Sequence, residues 1–296
     1  MARSRGGLLK ESLLCPLCRH TETGLRYRLS LKRVFWCRSC LTFFVDPFPK
    51  DEELKASYEE ASSEFQRKYF ESFRDLRARS FARGLRILEE LGRRGRLLDV
   101  GTGLGFFLDQ ARKAGWEAEG LEVSEKTAHS VRQTLKLPVH VGTLESVSLE
   151  KNRYQVVTLW DVLEHLPDPK QTLSRVRDRL VPGGVVVIRT PVCDSLIPGM
   201  LDVFYRASFG KFRFGFEKLF KEHLFHFSEK GLCRLVSECG FRILKAYRED
   251  YMDIRSLHQK GWAGNLFVRC GAWVVILAAH LIRRQDEVVL YAEISS

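Results

Sequence analysis

The spacing of apolar positions changes several times along the chain, and each change marks an element. RLLDV (96–100) is a short apolar run ending in GTGLG, and FFLDQARKAG after it repeats at helical intervals. WEAEGLEV reads as a strand, and SEKTAHSVRQTLK returns to helical spacing with Ser124 as its cap. PVHV and YQVVTLW read as strands, PKQTLSRVRDRL as a helix, VPGG as a turn and VVVIRT as a buried strand. Strands alternating with helices predict an open, mostly parallel α/β sheet covered on both faces. Ligands of such sheets bind outside the carboxyl ends of the strands.

Upstream, LRYRLSLKRVFWC reads as a hairpin set between two cysteine pairs, CPLC (Cys15, Cys18) and CRSC (Cys37, Cys40). The spacing C-x2-C-x18-C-x2-C brings four thiolates to one ion, the shell that Zn²⁺ favours. Four thiolates complete that shell and leave no position for water or substrate, so the expected ion is a structural Zn²⁺ in a zinc ribbon over residues 1–48. VDPFPKDEEL marks a boundary near residue 50. Phe65, Tyr69, Phe73 and Leu76 then recur at helical intervals and predict a helical linker over 49–94, which LGRRGR ends. The main domain is expected over 95–296, with an aromatic-rich insert at 192–227. Cys193, Cys233, Cys239 and Cys270 follow no ligand spacing and read as buried free thiols.

Composition adjusts this picture only at its margins. The 296 residues are 45% apolar and 29% charged, as in globular chains. MARSRGGLLKES turns polar before any apolar core forms, so no signal peptide is read and the cytoplasm is the expected address. The net charge of +11 lies mostly in the first third of the chain. That surplus makes a nucleic acid the alternative partner, although the cations are interleaved with acids and form no stripe. NLFVRCGAWVVILAAHLIRR (265–284) holds a charge-free run too short to span a bilayer, which needs about 20 apolar residues. Packing within the fold is expected for it, with peripheral membrane contact as the alternative.

The loop Asp99-Val100-Gly101-Thr102-Gly103-Leu104-Gly105 bends from strand to helix, and its glycines let a ligand approach the backbone and the helix N-terminus. Glu122 closes the next strand, where an acid can grip a ribose diol. In this order, LLDVGTGLGFFL, GLEVS, GTLES, VVTLWDVLEHLPDP and LVPGGVVVIRTP resemble the class I S-adenosylmethionine-dependent methyltransferases. Within that class they look most like the group related to ubiquinone-pathway O-methyltransferases. The resemblance covers residues 95–295 and implies a Rossmann-like seven-stranded sheet of order 3-2-1-4-5-7-6, closed by FRILKAYRED and EVVLYAEI as an antiparallel pair.

The resemblance also implies S-adenosyl-L-methionine as cofactor. Asp99, Gly101, Thr102, Gly103 and Gly105 would surround its methionine part, Glu122 its ribose hydroxyls and Val123 its adenine. Thr143-Leu144 stands where the family often has Asp-Ala beside the adenine, which leaves the backbone amide of Leu144 to serve there. Trp160 would wall the ribose–methionine side, with ordinary core packing as its alternative use. The acceptor implied is a small or carrier-linked molecule (sugar, lipid or quinone-like), methylated at oxygen or carbon. An RNA methyltransferase docked through the basic ribbon is the alternative.

In LWDVLEHLPDP, Asp161, Glu164 and His165 sit at i, i+3 and i+4, one face of a helical turn. Methyl transfer needs a base only where the acceptor must lose a proton. Three uses remain open: His165 with Glu164 as acid–base groups; a divalent ion on Asp161, Glu164 and His165; or hydrogen bonds that fasten the turn. Related methyltransferases with a Glu-x-x-Glu-His turn add a distant histidine to such an ion, here His223 or His226. The insert carries Phe204, Tyr205, Phe209, Phe212, Phe214, Phe216 and Phe220, a composition suited to a lid or an acceptor pocket as well as to a plain cap.

Overall fold

The computed structural model describes residues 12–50, 53, 74–211, 213–220, 223–249 and 285–295. Residues 54–73 of the expected helical linker, with Phe65, Tyr69 and Phe73, together with Phe212 of the insert and the apolar stretch 265–284, lie outside the described residues. No helix among the described residues is long and apolar enough to cross a membrane.

The alternating pattern folds into a seven-stranded sheet. Strands β4 (Arg96–Val100), β5 (Glu117–Glu122), β6 (Val139–Val141), β7 (Tyr154–Trp160) and β8 (Leu180–Pro191) run parallel, while β10 (Phe241–Glu249) and β11 (Glu287–Ile294) form an antiparallel pair. The order is β6-β5-β4-β7-β8-β11-β10. Numbered within this sheet, that is the expected 3-2-1-4-5-7-6. VPGG lies inside β8, where the register against β7 jumps from Tyr154↔Leu180 to Val156↔Val185 and accommodates the turn without ending the strand.

Helices cover the sheet from both sides. On one face α1 (Arg74–Glu90), α2 (Phe106–Lys113) and α3 (Glu125–Leu135) pack Phe81, Leu88, Phe107, Leu108 and Val131 against Leu97, Val156 and Val187. Ser124 caps α3 by accepting from the Thr127 amide at 3.2 Å. The opposite face receives α4 (Pro169–Arg179) and, late in the chain, α7 (Glu229–Glu238), through Leu173, Val176, Leu232 and Val236.

The cysteine-rich segment forms a second sheet. Its hairpin strands β1 (Thr23–Arg28) and β2 (Arg33–Cys37) are joined by β3 (Thr42–Asp46), and then by a strand from the insert, β9 (Phe225–Phe227). Phe43 lies opposite His226 in the β3–β9 register. Ribbon residues Tyr27, Val34, Phe35, Phe44 and Val45 share a continuous core with Val186 and Ile188 of the main sheet and Leu235 of α7. The insert helices α5 (Leu196–Ala207) and α6 (Phe214–Leu219) lean on the hairpin. Phe216 stacks on Tyr27 at 4.0 Å, and Asp202 accepts from Arg26 (2.7 Å) and Tyr27 (3.0 Å). Phe216 and Phe220 are therefore used in this contact, while Phe204 and Phe209 face solvent.

Candidate active site

The carboxyl ends of β4, β5 and β7 converge on the glycine loop. Gly101 (φ +72°) turns the chain where a Cβ would lie 2.5 Å from Val162 Cγ2, so only glycine fits between strand and turn. Gly103 (φ +53°) differs: an added Cβ there would meet only the Gly101 carbonyl, at 4.0 Å. The loop's crest is thus open backbone, the surface a ligand can approach. Gly105 ends the loop as the N-cap of α2.

Two buried acids stand behind this crest. Glu122 accepts from the Gly103 amide at 2.8 Å and from the Ser124 amide at 3.0 Å, one bond to each carboxylate oxygen. Each oxygen keeps a further lone pair, which suits it to the two hydroxyls of a ribose. Burial raises the Glu122 carboxyl above its ordinary range. Asp99 accepts from Thr158 Oγ1 at 2.7 Å, its backbone carbonyl accepts from Thr102 Oγ1, and burial pushes its carboxyl up to about 7. Val123 is half-buried at the end of β5. Thr143 is exposed and closes a small turn with Ser146, while the Leu144 side chain is buried in the core. Trp160 is enclosed by Phe81 and Phe107, each 5.1 Å away between ring centroids. Its Nε1 is buried without a hydrogen-bond partner.

The turn after β7 divides the predicted cluster. Asp161 adopts φ +56° and precedes a single 3-10 turn, Leu163–His165, so it does not share a helical face with Glu164 and His165. Its carboxylate pairs with Arg77 of α1 and lies 3.4 Å from Arg189 Nε. Burial alone would raise it, yet those two guanidiniums hold it below the usual carboxylate range. Arg189 also binds Glu287 at 2.6 Å and approaches Glu249 at 3.4 Å, completing a buried charge cluster that the sequence reading missed. An arginine inside the apolar run VVVIRT was the available signal, since such a residue is seldom buried unpaired.

Glu164 and His165 instead meet the insert. Potential ligand atoms of Glu164, His165 and His223 lie within 4.8 Å of one another. Glu164 is fully buried; its Oε2 accepts from Thr190 at 2.9 Å and its Oε1 has no hydrogen-bond partner. Burial, followed by the charge of Asp161, pushes its carboxyl up to about 8, so it holds a proton at neutral pH. His226 Nε2 lies 3.1 Å from the Leu219 carbonyl and 2.9 Å from His223 Nδ1. A carbonyl only accepts, so His226 carries its proton on Nε2 and His223 accepts at Nδ1. Burial keeps both rings neutral, which leaves the His223 proton on Nε2. The sequence pattern named both histidines; their hydrogen-bonded order follows only from the fold.

The four cysteines meet at the base of the ribbon. Cys15 and Cys40 Sγ are 3.7 Å apart, Cys18 and Cys37 Sγ 3.5 Å, and all four lie within 4.8 Å of one another. A tetrahedral zinc with Zn–S bonds of about 2.3 Å spaces its sulfurs by about 3.8 Å, so the donor set and its spacing fit that ion. Cys193, Cys233 and Cys239 are free and half-buried, and burial raises each thiol.

Comparisons with known proteins agree with this architecture. A family model described as a methyltransferase domain matches residues 65–246. The ubiquinone biosynthesis O-methyltransferase of Bordetella avium is 30% identical over 101 residues, 32% of this chain and 42% of that protein. The Aeromonas salmonicida protein of the same name is 31% identical over the same shares. The chain thus matches less than half the length of these curated relatives. The fold is shared with Burkholderia thailandensis 1,6-didemethyltoxoflavin-N1-methyltransferase, solved with S-adenosylhomocysteine (TM-score 0.56, 14% identity, 92% of this chain and 99% of that one). It is also shared with an S-adenosylmethionine-dependent methyltransferase of Archaeoglobus fulgidus (TM-score 0.51, 20% identity, 74% and 94%). With its strand order and family match in agreement, this chain belongs to the methyltransferase-domain family.

Proposed function

We propose that the chain methylates an oxygen or activated carbon of a small or carrier-linked acceptor, such as a sugar, lipid or quinone-like ring, with His165 taking the acceptor's proton. The observation that carries this reading is contact between two sites. Val162, next to the Glu164–His165 turn, packs on Gly101 of the cofactor loop, so the polar cluster stands beside the place where the methyl group would be delivered.

In this reading Gly101, Thr102, Gly103 and Gly105 admit the methionine part of the cofactor, with Asp99 behind them. Glu122 accepts from the ribose hydroxyls, Val123 and the Leu144 amide flank the adenine beside Thr143, and Trp160 backs the loop. When bound, the cofactor supplies a methyl group on a sulfonium, already an excellent leaving group. The chain's own residues align the acceptor and exclude water. His165 accepts the proton, while protonated Glu164 offers a hydrogen bond from Oε1. Cys15, Cys18, Cys37 and Cys40 would hold a structural Zn²⁺. RNA docking draws less support, because Arg26 and Arg33 of the ribbon pair with Asp202 and Asp46.

His165→Ala tests the assignment in a radiolabelled methyl-transfer assay against hydroxylated aromatic and nucleotide-sugar acceptors. Turnover is expected to fall by roughly 100-fold, with cofactor affinity unchanged by calorimetry. Turnover equal to wild type across pH would leave His165 as a fastener of the turn.

A further inference from the structure

The ribbon touches the acceptor side of the main domain through its second knuckle. The Ser39 carbonyl accepts from Arg234 Nη1 of α7 at 2.8 Å. Gly231 of the same helix approaches so closely that a Cβ there would lie 2.5 Å from the Cys40 carbonyl and 2.9 Å from that of Leu41. The Leu41 carbonyl also accepts from the Ser228 amide at 3.1 Å. The residues framing Cys40 are therefore bonded to the segment that carries His226.

From there β3 continues the connection. Thr42, Phe43 and Phe44 pair with Phe227, His226 and Phe225. Val45 donates to the Leu224 carbonyl at 3.2 Å, and the Leu224 amide donates to the Glu164 carbonyl at 2.9 Å. Two peptide hydrogen bonds thus separate the ribbon from the acceptor turn. His226 then bonds His223, whose ring meets His165 edge-on at 4.7 Å between centroids.

The cofactor loop has no such hydrogen-bonded connection among the described residues. Val100 shares the ribbon's apolar core, but helix α2 packs with α1 and α3 in a cluster that includes no ribbon residue, and the loop's own hydrogen bonds run to Leu121 and Glu122. Closing the four-cysteine cluster around an ion fixes the second knuckle, and the knuckle's bonds run to one of the two sites.

We infer that metal loading of Cys15, Cys18, Cys37 and Cys40 positions the His226–His223–His165 series, making the ribbon a positioning element for the acceptor side and not for the cofactor. The inference rests on reading that series as the acceptor side. It gives the zinc a use that coordination chemistry alone does not, because a closed S4 shell cannot itself take part in methyl transfer.

The experiment uses the full chain, zinc-loaded and after zinc removal by a thiol-compatible chelator. Zinc content, S-adenosylmethionine affinity by calorimetry and imidazole ¹⁵N–¹H spectra are read on the same samples. Removing zinc is expected to shift and broaden the His223 and His226 signals while cofactor affinity stays within about twofold. Loss of cofactor affinity in step with zinc would overturn the inference, since the ribbon would then support the whole fold. So would histidine signals indifferent to zinc. Gly231→Ala provides the second variant, because its methyl presses on the Cys40 and Leu41 carbonyls, wedging knuckle from helix without replacing a ligand sulfur. Retained zinc and cofactor binding with displaced His226 signals is expected; retained zinc with a wild-type imidazole spectrum would also overturn the coupling. These readouts do not depend on turnover, so a failure here is distinguishable from His165 having no catalytic part.

Discussion

The glycine loop proposed for the cofactor and the Glu164–His165 turn proposed for the acceptor stand at the same edge of one sheet, separated by little more than the contact of Val162 with Gly101. They are nevertheless made by different means. The loop is local: one strand, seven residues and one helix, with Glu122 reaching across from the adjacent strand. The acceptor turn is assembled from distant parts of the chain. Arg77 comes from α1, Arg189 and Thr190 from β8, Glu287 from β11 and the histidines from the insert. A local site is set by backbone conformation, whereas an assembled one is set by compensating charges and shared strands. The two should therefore fail differently when perturbed.

The largest effect is expected from Arg189→Met. Arg189 is 3% exposed and faces three carboxylates, Asp161, Glu249 and Glu287. Burial pushes Glu287 up to about 7 even with Arg189 beside it, a sign of how costly its charge is there. Removing one partner of a buried ion pair leaves the others uncompensated and costs roughly 3–5 kcal/mol. Urea unfolding should show that loss, and a variant of unchanged midpoint would mean that the cluster is not needed to assemble the acceptor side.

Gly103→Val perturbs the other region, with a smaller cost to the fold. Its φ of +53° strains a β-branched residue, and the new methyl groups would project into the open crest of the loop. Affinity for S-adenosylmethionine should fall by roughly 100-fold, or about 2.7 kcal/mol, while metal content of the ribbon stays constant. Calorimetry paired with zinc analysis checks both halves of that expectation. Retained affinity would remove the loop from the cofactor site.

The same contrast explains what could be read from the sequence. The alternating strands and helices, the Ser124 cap and the glycine turn follow from short-range rules: hydrophobic period, a side-chain oxygen near free amides, and glycine where φ is positive; the strand order was implied only by the family resemblance. The cysteine spacing likewise announced a four-sulfur cluster. Nothing short-range announced that Phe225–Phe227 would complete the ribbon's sheet, because FHF has no partner until β3 lies beside it. The place of Asp161 was misjudged for a related reason. Its i, i+3 spacing to Glu164 presumed a continuous helical turn, but Arg77 and Arg189 draw its carboxylate away and the chain enters the turn at positive φ.

The smallest expected effect separates the two regions by pH. Asp99 lies behind the glycine loop proposed for the cofactor and is fully buried, with its carboxyl raised from 3.8 to about 7 by burial. Between those values the unfolded chain releases the proton while the native chain keeps it. The native state then binds more protons, so stability falls as pH rises through that window. Burial gives Glu122 a shift of the same sign. Without cofactor, the unfolding midpoint should therefore decline between pH 5 and about 7, and Asp99→Asn should flatten part of that slope. In the proposed site, bound S-adenosylmethionine would bring a positive sulfonium to the loop and favour the ionised acid. Its affinity should accordingly rise across the same pH range in wild type and less so in Asp99→Asn. An identical slope in both proteins would assign the titration to the acceptor side, where Glu164 and Glu287 are also raised by burial, and would reverse the division between the two regions.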